Sequence, residues 1–210
     1  MDILLAGATG LVGGLCLQRL LADPVFTRVV VLVRRPVGTS HPKLEQHVVD
    51  FARLGQGREL FKVDKVMCAL GTTIKQAGSQ DRFREVDHDY PLQLARMGLA
   101  QGARHFLLVS ALGANARSGV FYNRVKGEVE ADVRALGFPQ LTIVRPSLLL
   151  GERHEFRLGE EVGKRFAFLV PGKYRPVQAD SVAKVLVEAA RRDTPGVEVI
   201  ESDEIRRRAA

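Results

Sequence analysis

The residues best suited to chemistry in this sequence are a tyrosine and a lysine on one helical pattern. Tyr122 and Lys126 are four positions apart, so an α-helix places both side chains on the same face. A phenol has a pKa of about 10, and a neighbouring cation favours the phenolate, so such a pair can move a proton near neutral pH. Ser110 ends the apolar run that precedes this helix. An amphipathic surface helix with a solvated lysine shows the same spacing, so the pattern needs support from the rest of the chain.

That support begins at the start of the chain, which reads MDILLAGATGLVGG. Glycine costs backbone entropy in strands and helices, so glycines spaced by three directly after an apolar run indicate a tight turn. Between a strand and a helix, such a turn brings main-chain N–H groups and the positive end of the helix dipole to a pyrophosphate. We therefore predict a dinucleotide site here, formed by Gly7, Thr9, Gly10, Leu11, Val12 and Gly13.

The end of the second apolar run indicates which dinucleotide binds. The sequence reads VVVLVRRP, so Arg34 and Arg35 stand where an NAD site would carry Asp or Glu for the ribose 2′-OH. A guanidinium group offers a planar fork of donors that suits a 2′-phosphate. We predict a preference for NADP(H) over NAD(H); the alternative is a pair of solvated loop arginines.

Residues after the third and fourth strands complete the predicted cofactor site. Asp50 and Phe51 are expected to cap the adenine, with Asp50 accepting a hydrogen bond from its amino group. The segment CALGTT ends the fourth strand, and its glycine lets the chain pass close to the cofactor. The residues assigned to the cofactor there are Ala69, Leu70, Gly71 and Thr72.

Strand and helix patterns alternate along the chain, which predicts a doubly wound α/β fold with a parallel, Rossmann-type sheet. Short apolar runs predict buried strands at 3–6, 29–33, 66–70, 106–109, 141–144 and 197–200. Helical periodicity predicts helices at 11–22, 81–100, 121–136 and 180–191. We expect one domain over residues 1–210, with a small substrate-side segment at about 147–178.

The charge pattern argues against a nucleic-acid partner despite a net charge of +7. Arginine supplies 23 of the 31 basic residues, scattered along the chain, and the dense run Arg206–Arg208 is expected to be a solvated, frayed tail. The sequence has neither zinc-finger spacing nor a stacking-aromatic motif. Its five histidines form no metal-ligand spacing, so no metal site is predicted.

Composition also suggests where the protein resides. No apolar stretch approaches the roughly 20 residues of a membrane-spanning helix, and Asp2 stands where a secretory signal would be basic. Cys16 and Cys68 lack CxxC spacing and are interpreted as buried free thiols. We therefore expect a cytoplasmic protein without membrane contact.

The combination of glycine turn, Ser110 and Y-x-x-x-K resembles the short-chain dehydrogenase/reductase superfamily over most of the chain. REVDHDYPLQLARMGLAQGARHFLLVSALGA is similar to the fourth-helix and fifth-strand region of its extended and atypical members, and RPSLLLGER to their segment after the sixth strand. CALGTT, VDHDY, VSALGA and YNRVKGEVEADV are closer still to the atypical oxidoreductases of the Tat-interacting-protein type.

This resemblance implies a role for each site residue. Tyr122 would exchange a proton with the substrate, and Lys126 would supply the cation and bind the nicotinamide ribose. Ser110 would hold the carbonyl oxygen, and the segment from Pro146 to Leu149 would line the nicotinamide pocket. Asp87 departs from the asparagine of many extended members.

Two functions follow from the sequence. The first is an NADP(H)-dependent oxidoreductase acting on a small carbonyl or alcohol, because only 64 residues follow Pro146 and leave little room for a sugar-nucleotide pocket. The second is an NADP(H)-binding sensor or scaffold with little turnover, acting through a protein partner; a homodimer and a monomer are both compatible with the sequence. The aromatic residues of the substrate-side segment form either an apolar pocket lining or ordinary core; they are Phe156, Phe166, Phe168 and Tyr174.

Overall fold

The computed structural model describes residues 1–151 and 172–210, and over them a parallel sheet is covered by helices on both faces. Its strands in chain order are β1 (Asp2–Ala6), β2 (Arg28–Val33), β3 (Leu44–Val48), β4 (Lys65–Cys68), β5 (His105–Val109), β6 (Gln140–Arg145), β7 (Leu149–Leu150), β8 (Val177–Gln178) and β9 (Gly196–Glu201). Seven of them pair in the order β3-β2-β1-β4-β5-β6-β9, and β7 pairs with β8; every pairing is parallel. The predicted doubly wound α/β fold is therefore confirmed.

The helices lie in two layers, one on each face of the sheet. They are α1 (Leu11–Ala22), α2 (Ile74–Ala77), α3 (Gln80–Arg84), α4 (Tyr90–Ala100), α5 (Phe121–Ala135), α6 (Ala179–Arg191) and α7 (Ser202–Ala209). Helices α1 and α6 pack on one face, whereas α4 and α5 pack on the other. Short 3₁₀ turns occur at Phe51–Gln56, Arg58–Phe61 and Gly172–Tyr174.

Strand order places the candidate site. The connections leave β1 in one direction, toward β2 and β3, and then return to place β4 on its other side. Open α/β sheets bind ligands outside the carboxyl ends of the strands at such a reversal, because the two adjacent loops diverge and leave a crevice. The glycine turn follows β1 and therefore lies at this crevice.

The predicted helix 81–100 is divided by a π-helical segment, Glu85–Asp89, which joins α3 to α4. Pro91 occupies the first turn of α4. Proline has no N–H to donate four residues back, and its ring displaces the carbonyl there, which belongs to Asp87. The wider turn absorbs this conflict, so the interruption has a local cause in the sequence.

The expectation of a frayed C-terminal tail is wrong, because the basic run lies in helix α7. Ile205 and Ser202 are fully buried, which anchors one face of this helix. Asp203 and Glu204 lie in its first turn and the arginines in its last, as the helix dipole favours. Arg208 also pairs with Glu198 of β9 at 2.8 Å.

Candidate functional site

The glycine turn is built so tightly that two of its positions admit no side chain. Gly7 has a φ of +93°, and a Cβ there would lie 2.5 Å from the carbonyl oxygen of Ala69, at the end of β4. A Cβ on Gly13 would lie 2.0 Å from the carbonyl oxygen of Gly7, where α1 packs against the turn. The strand, the turn and the helix can therefore approach this closely only with glycine at both positions.

The N-terminus of α1 is open to an anion. Gly10 is the N-cap residue, no side chain caps the helix, and its first turn holds no acidic residue. Thr9 and Gly10 are exposed, Leu11 is half-buried and Val12 is buried. The first N–H groups of a helix lack intrahelical partners, so they and the helix dipole attract negative charge. These residues fit the pyrophosphate of a dinucleotide.

The adenosine side of the crevice holds two arginines and a short 3₁₀ turn. Arg34 and Arg35 are exposed just beyond β2, and neither forms an ion pair within residues 1–151 and 172–210. Asp50 caps the 3₁₀ turn by accepting a hydrogen bond from the Ala52 N–H at 3.0 Å. Phe51 is buried, and its ring centroid lies 5.6 Å from that of Tyr90. The ring of Phe51 is thus part of the core, which leaves its backbone and Asp50 for the predicted adenine contact.

The turn after β4 borders the pair of charged residues at the centre of the site. The Thr72 N–H donates to Asp87 Oδ2 at 2.9 Å. A Cβ on Gly71 would lie 3.4 Å from Asp87 Oδ1 and 3.9 Å from Lys126 Nζ. Ala69 and Leu70 are half-buried and connect this turn to β4. The predicted cofactor turn therefore lies directly against Lys126.

Lys126 and Asp87 form a buried ion pair. Lys126 Nζ lies 2.7 Å from Asp87 Oδ1, and only 6% of the lysine side chain and 1% of the aspartate side chain are exposed. Burial disfavours the charged lysine, but attraction by Asp87, and next by Tyr122, outweighs it, so the pKa of Lys126 is raised above its usual value. Lys126 is therefore a buried cation at working pH.

Tyr122 lies one helical turn before Lys126 on α5, and its side chain is half-buried. Its ring centroid lies 5.4 Å from that of Phe83 on α3. Tyr122 is also among the groups that raise the pKa of Lys126, after Asp87. The structure thus brings together the tyrosine and lysine that the sequence singles out.

The hydroxyl of Ser110 is hydrogen-bonded to a different residue of helix α5, Glu130. Ser110 is buried just after β5, and its hydroxyl donates to Glu130 Oε1 at 2.5 Å. Glu130 Oε2 in turn lies 2.6 Å from Arg145 Nη2. Glu130 lies two helical turns beyond Tyr122, so the hydroxyl hydrogen of Ser110 is committed to a buried ion pair rather than to the Tyr122 end of the helix.

The segment after β6 passes from the sheet toward the glycine turn. Pro146 is buried, and its carbonyl accepts a hydrogen bond from the Leu112 N–H at 2.8 Å. Leu149 pairs with Val177 in the small sheet. A Cβ on Gly151 would lie 2.8 Å from a methyl group of Leu11, so this segment reaches the glycine turn. Tyr174 is 54% exposed; Phe156, Phe166 and Phe168 lie outside the described residues.

Sequence reasoning missed Glu130 and Gly127 on helix α5. A Cβ on Gly127 would lie 2.1 Å from the backbone nitrogen of Ala116, so this glycine lets the loop before α5 pack onto the helix beside Lys126. A glycine inside a helical pattern was the available signal, because it costs helix stability. For Glu130 the signal was its spacing of four from Lys126, which puts it on the same face.

These features define a nucleotide-binding protein of the Rossmann class, and comparison with known proteins identifies its family. Residues 7–193 match the NAD(P)H-binding family, and the chain belongs to this family, among the atypical short-chain dehydrogenases/reductases. The chain is 36% identical to protein HTATIP2 of Rattus norvegicus, covering 88% of this chain and 78% of that protein. It is 35% identical to the mitochondrial protein FMP52 of Eremothecium gossypii, covering 98% and 96% of the two chains.

Solved structures show the same fold at low sequence identity. MoeE5 in complex with UDP-glucose and NAD is 15% identical and superposes with a TM-score of 0.75, covering 100% of this chain and 81% of its own. The UDP-glucose 4-epimerase of Thermotoga maritima is 17% identical and superposes with a TM-score of 0.72, covering 97% and 77%. At this identity the likeness establishes the architecture alone.

The relatives correct the expected location. Several of them, from Eremothecium gossypii, Emericella nidulans and Candida albicans, are named mitochondrial proteins, so the prediction of a cytoplasmic protein is contradicted. It relied on Cys16 and Cys68, which are indeed buried free thiols; such thiols indicate a reducing compartment without specifying which one. Across residues 1–151 and 172–210, every helix is too short or too polar to cross a bilayer.

Proposed function

We propose that this protein is an NADP(H)-dependent oxidoreductase that transfers a hydride to or from a small carbonyl or alcohol substrate. The observation that supports this most is the position of Lys126, which borders the turn at Gly71 and lies one turn of helix α5 from Tyr122. A phosphate-binding turn and a proton-transfer pair at one sheet edge are the two parts that such a reaction requires.

Each part has a task in the proposed reaction. A bound NADP(H) supplies the hydride chemistry. The N–H groups at Gly10–Gly13 hold the pyrophosphate, and the turn at Gly71 keeps the dinucleotide against β4. Tyr122 donates a proton to the carbonyl oxygen during reduction, or accepts one during oxidation, and the positive charge of Lys126 favours the anion that forms on either oxygen.

The 2′-phosphate preference is part of the proposal and rests on Arg34 and Arg35. Both side chains are exposed at the adenosine side of the crevice, and no carboxylate stands in their place. We expect Arg34→Ala and Arg35→Ala to weaken NADPH binding about tenfold each while changing NADH binding little, because only NADPH carries the extra phosphate. Arg96→Ala, which removes an exposed arginine from α4, is the matched control. Equal losses for both nucleotides would contradict the assignment.

One observation favours the second candidate function, an NADP(H)-binding protein with little turnover. The Ser110 hydroxyl donates to Glu130, so it cannot donate to a substrate oxygen unless that bond breaks. The role proposed for Ser110, holding the carbonyl oxygen, therefore requires a rotation of its hydroxyl. A site with Tyr122 and Lys126 but without this donor binds nucleotide and loses part of the stabilisation of the transition state.

The decisive experiment measures binding and turnover separately. NADPH affinity is determined by calorimetry, and NADPH oxidation is followed with a panel of aldehydes and ketones. The enzyme proposal expects turnover with at least one carbonyl, lost in Tyr122→Phe with NADPH affinity unchanged. Tyr90→Phe is the control, since the Tyr90 hydroxyl bonds to the side chains of Glu85 and Arg82. Tight NADPH binding without turnover supports the sensor, and absence of binding excludes both functions.

A further inference from the structure

Asp87 is a buried carboxylate with two partners from different parts of the site. One oxygen, Oδ1, lies 2.7 Å from Lys126 Nζ on α5. The other, Oδ2, accepts the Thr72 N–H from the turn after β4 at 2.9 Å. We propose that Asp87 is a positioning residue that keeps Lys126 protonated inside the protein and fixes the cofactor turn to helix α5.

The need for such a residue follows from the burial of Lys126. An ammonium group removed from water loses its solvation energy and tends to release its proton unless an opposite charge is near. Within the described chain, the groups that act on the charge of Lys126 are Asp87 from the π-helical segment, Tyr122 from α5 itself and Cys68 from β4. Burial raises the pKa of the Cys68 thiol to about 12, so that group is neutral. Of these three groups, Asp87 is the carboxylate that carries a formal negative charge next to Lys126.

The local backbone explains why the carboxylate reaches inward. Asp87 lies four residues before Pro91, in the wider turn that the proline imposes on the helix. Its side chain is 1% exposed, so both oxygens are reserved for protein partners. An asparagine at this position could still accept the Thr72 N–H, but it would bring no charge to Lys126. Charge is therefore the property that distinguishes the two side chains here.

The first test compares the unfolding equilibrium of the parent protein and Asp87→Asn between about pH 7 and pH 10. In the parent, Lys126 is protonated in both the folded and the unfolded states, so it adds no pH dependence over this range. In the variant, the folded protein releases the Lys126 proton whereas the unfolded chain retains it up to about pH 10.4. Asp87→Asn should therefore be less stable than the parent at pH 7. As the pH rises toward 10, its folding equilibrium constant should increase about tenfold per pH unit relative to that of the parent.

The control is the same substitution in a Lys126→Met background, where the effect of Asp87→Asn should not vary with pH. A stability difference between the parent and Asp87→Asn that stays constant with pH would overturn the proposal, because Asp87 would then act only as a hydrogen-bond acceptor. If Asp87→Asn does not fold, ¹³Cε NMR of lysine in the parent decides. The Lys126 signal is identified by its absence from the spectrum of Lys126→Met, and its pKa should be higher than those of the exposed lysines. A pKa equal to theirs or lower would overturn the proposal.

A second readout rests on the proposed function. We expect the dissociation constant of NADPH at pH 7 to be about tenfold higher in Asp87→Asn, where Lys126 is uncharged, than in the parent, and to change less than about twofold in either protein between pH 7 and pH 9.5. An equal dissociation constant of the two proteins at pH 7 would count against Asp87. If the parent does not bind NADPH, the proposed function fails, and the unfolding experiment still decides the role of Asp87.

Discussion

At the scale of single residues, the tightest constraint in the site is the contact between Gly13 and Gly7. Gly13→Ala would place a methyl group 2.0 Å from the Gly7 carbonyl oxygen, so the turn must open. We expect a loss of about 1–3 kcal/mol in the free energy of unfolding and at least a tenfold weaker affinity for NADPH, measured by urea unfolding and calorimetry.

Gly14 provides the matched control one position along the same helix. A Cβ there would lie 3.4 Å from the Ala8 carbonyl oxygen, which is an ordinary contact. Gly14→Ala should therefore keep NADPH affinity and, because alanine suits a helix better, raise stability by about 0.5–1 kcal/mol. Similar effects of the two substitutions would show that helix propensity, rather than the close approach, determines the glycine at position 13.

Residue spacing predicts which side chains share a helix face, but it does not predict contacts between different elements. Tyr122 and Lys126 could be paired from the sequence because the helical period fixes which side chains share a face. Spacing can place Glu130 on the face of Lys126, but it cannot show that Glu130 bonds to Ser110 or that Asp87 pairs with Lys126, since these contacts form through packing between α5, β5 and the π-helical segment. The burial of the Phe51 ring likewise depends on Tyr90, 39 positions further along the chain.

At the scale of elements, helix α7 buries one apolar side chain. Ile205 is fully buried against the sheet face that also holds α1 and α6. Ile205→Ala should lower the free energy of unfolding by about 2–4 kcal/mol through the lost burial and the cavity. Arg207→Ala, on the exposed side of the same helix, should change it by less than about 1 kcal/mol. Equal effects in thermal unfolding would contradict a folded, docked C-terminus.

Among the strands, those buried on both faces have the clearest sequence pattern. Strands β1, β2 and β5 are continuous apolar runs, which only a covered sheet accommodates, and their predicted ends agree with the structure within one residue. Strand β3, LEQHV, lies at the sheet edge with alternating exposure, so its weak pattern gave no bounds. Helix α7 has the charged composition of a solvated tail, and the sequence alone did not show that Ile205 and Ser202 would be buried.

At the scale of the whole molecule, many basic residues join elements that are distant in sequence. Arg19 of α1 pairs with Asp180 of α6 at 2.6 Å, and Arg191 at the end of α6 pairs with the buried Asp23 at 2.5 Å. Lys65 of β4 lies 2.5 Å from Asp193. These basic side chains join helix α1 and the residue after it to helix α6, and join strand β4 to the segment after α6.

The same network makes the stability of the molecule sensitive to acid through His105. This histidine of β5 is 1% exposed, and its Nε2 lies 2.9 Å from Thr142 Oγ1. Burial, and next the positive charge of Lys65, lower its pKa from 6.5 to about 3. Between these values the unfolded chain binds a proton that the folded protein excludes. His105 therefore lowers the free energy of unfolding by up to about 1.4 kcal/mol per pH unit as the pH falls from 6.5 toward 3, and has no such effect above 6.5.

Substitution of His105 isolates this contribution from that of the carboxylates, which titrate in the same range. His105→Phe should be less stable than the parent at neutral pH, because Thr142 loses its partner. Its stability should then decline less steeply in acid, so the two curves of urea-unfolding free energy converge below pH 6.5. His41→Gln, in the loop before β3, controls for the loss of one histidine and should follow the parent curve. Parallel curves for the parent and His105→Phe would contradict this prediction, because they would show that His105 binds a proton in the folded protein as readily as in the unfolded chain.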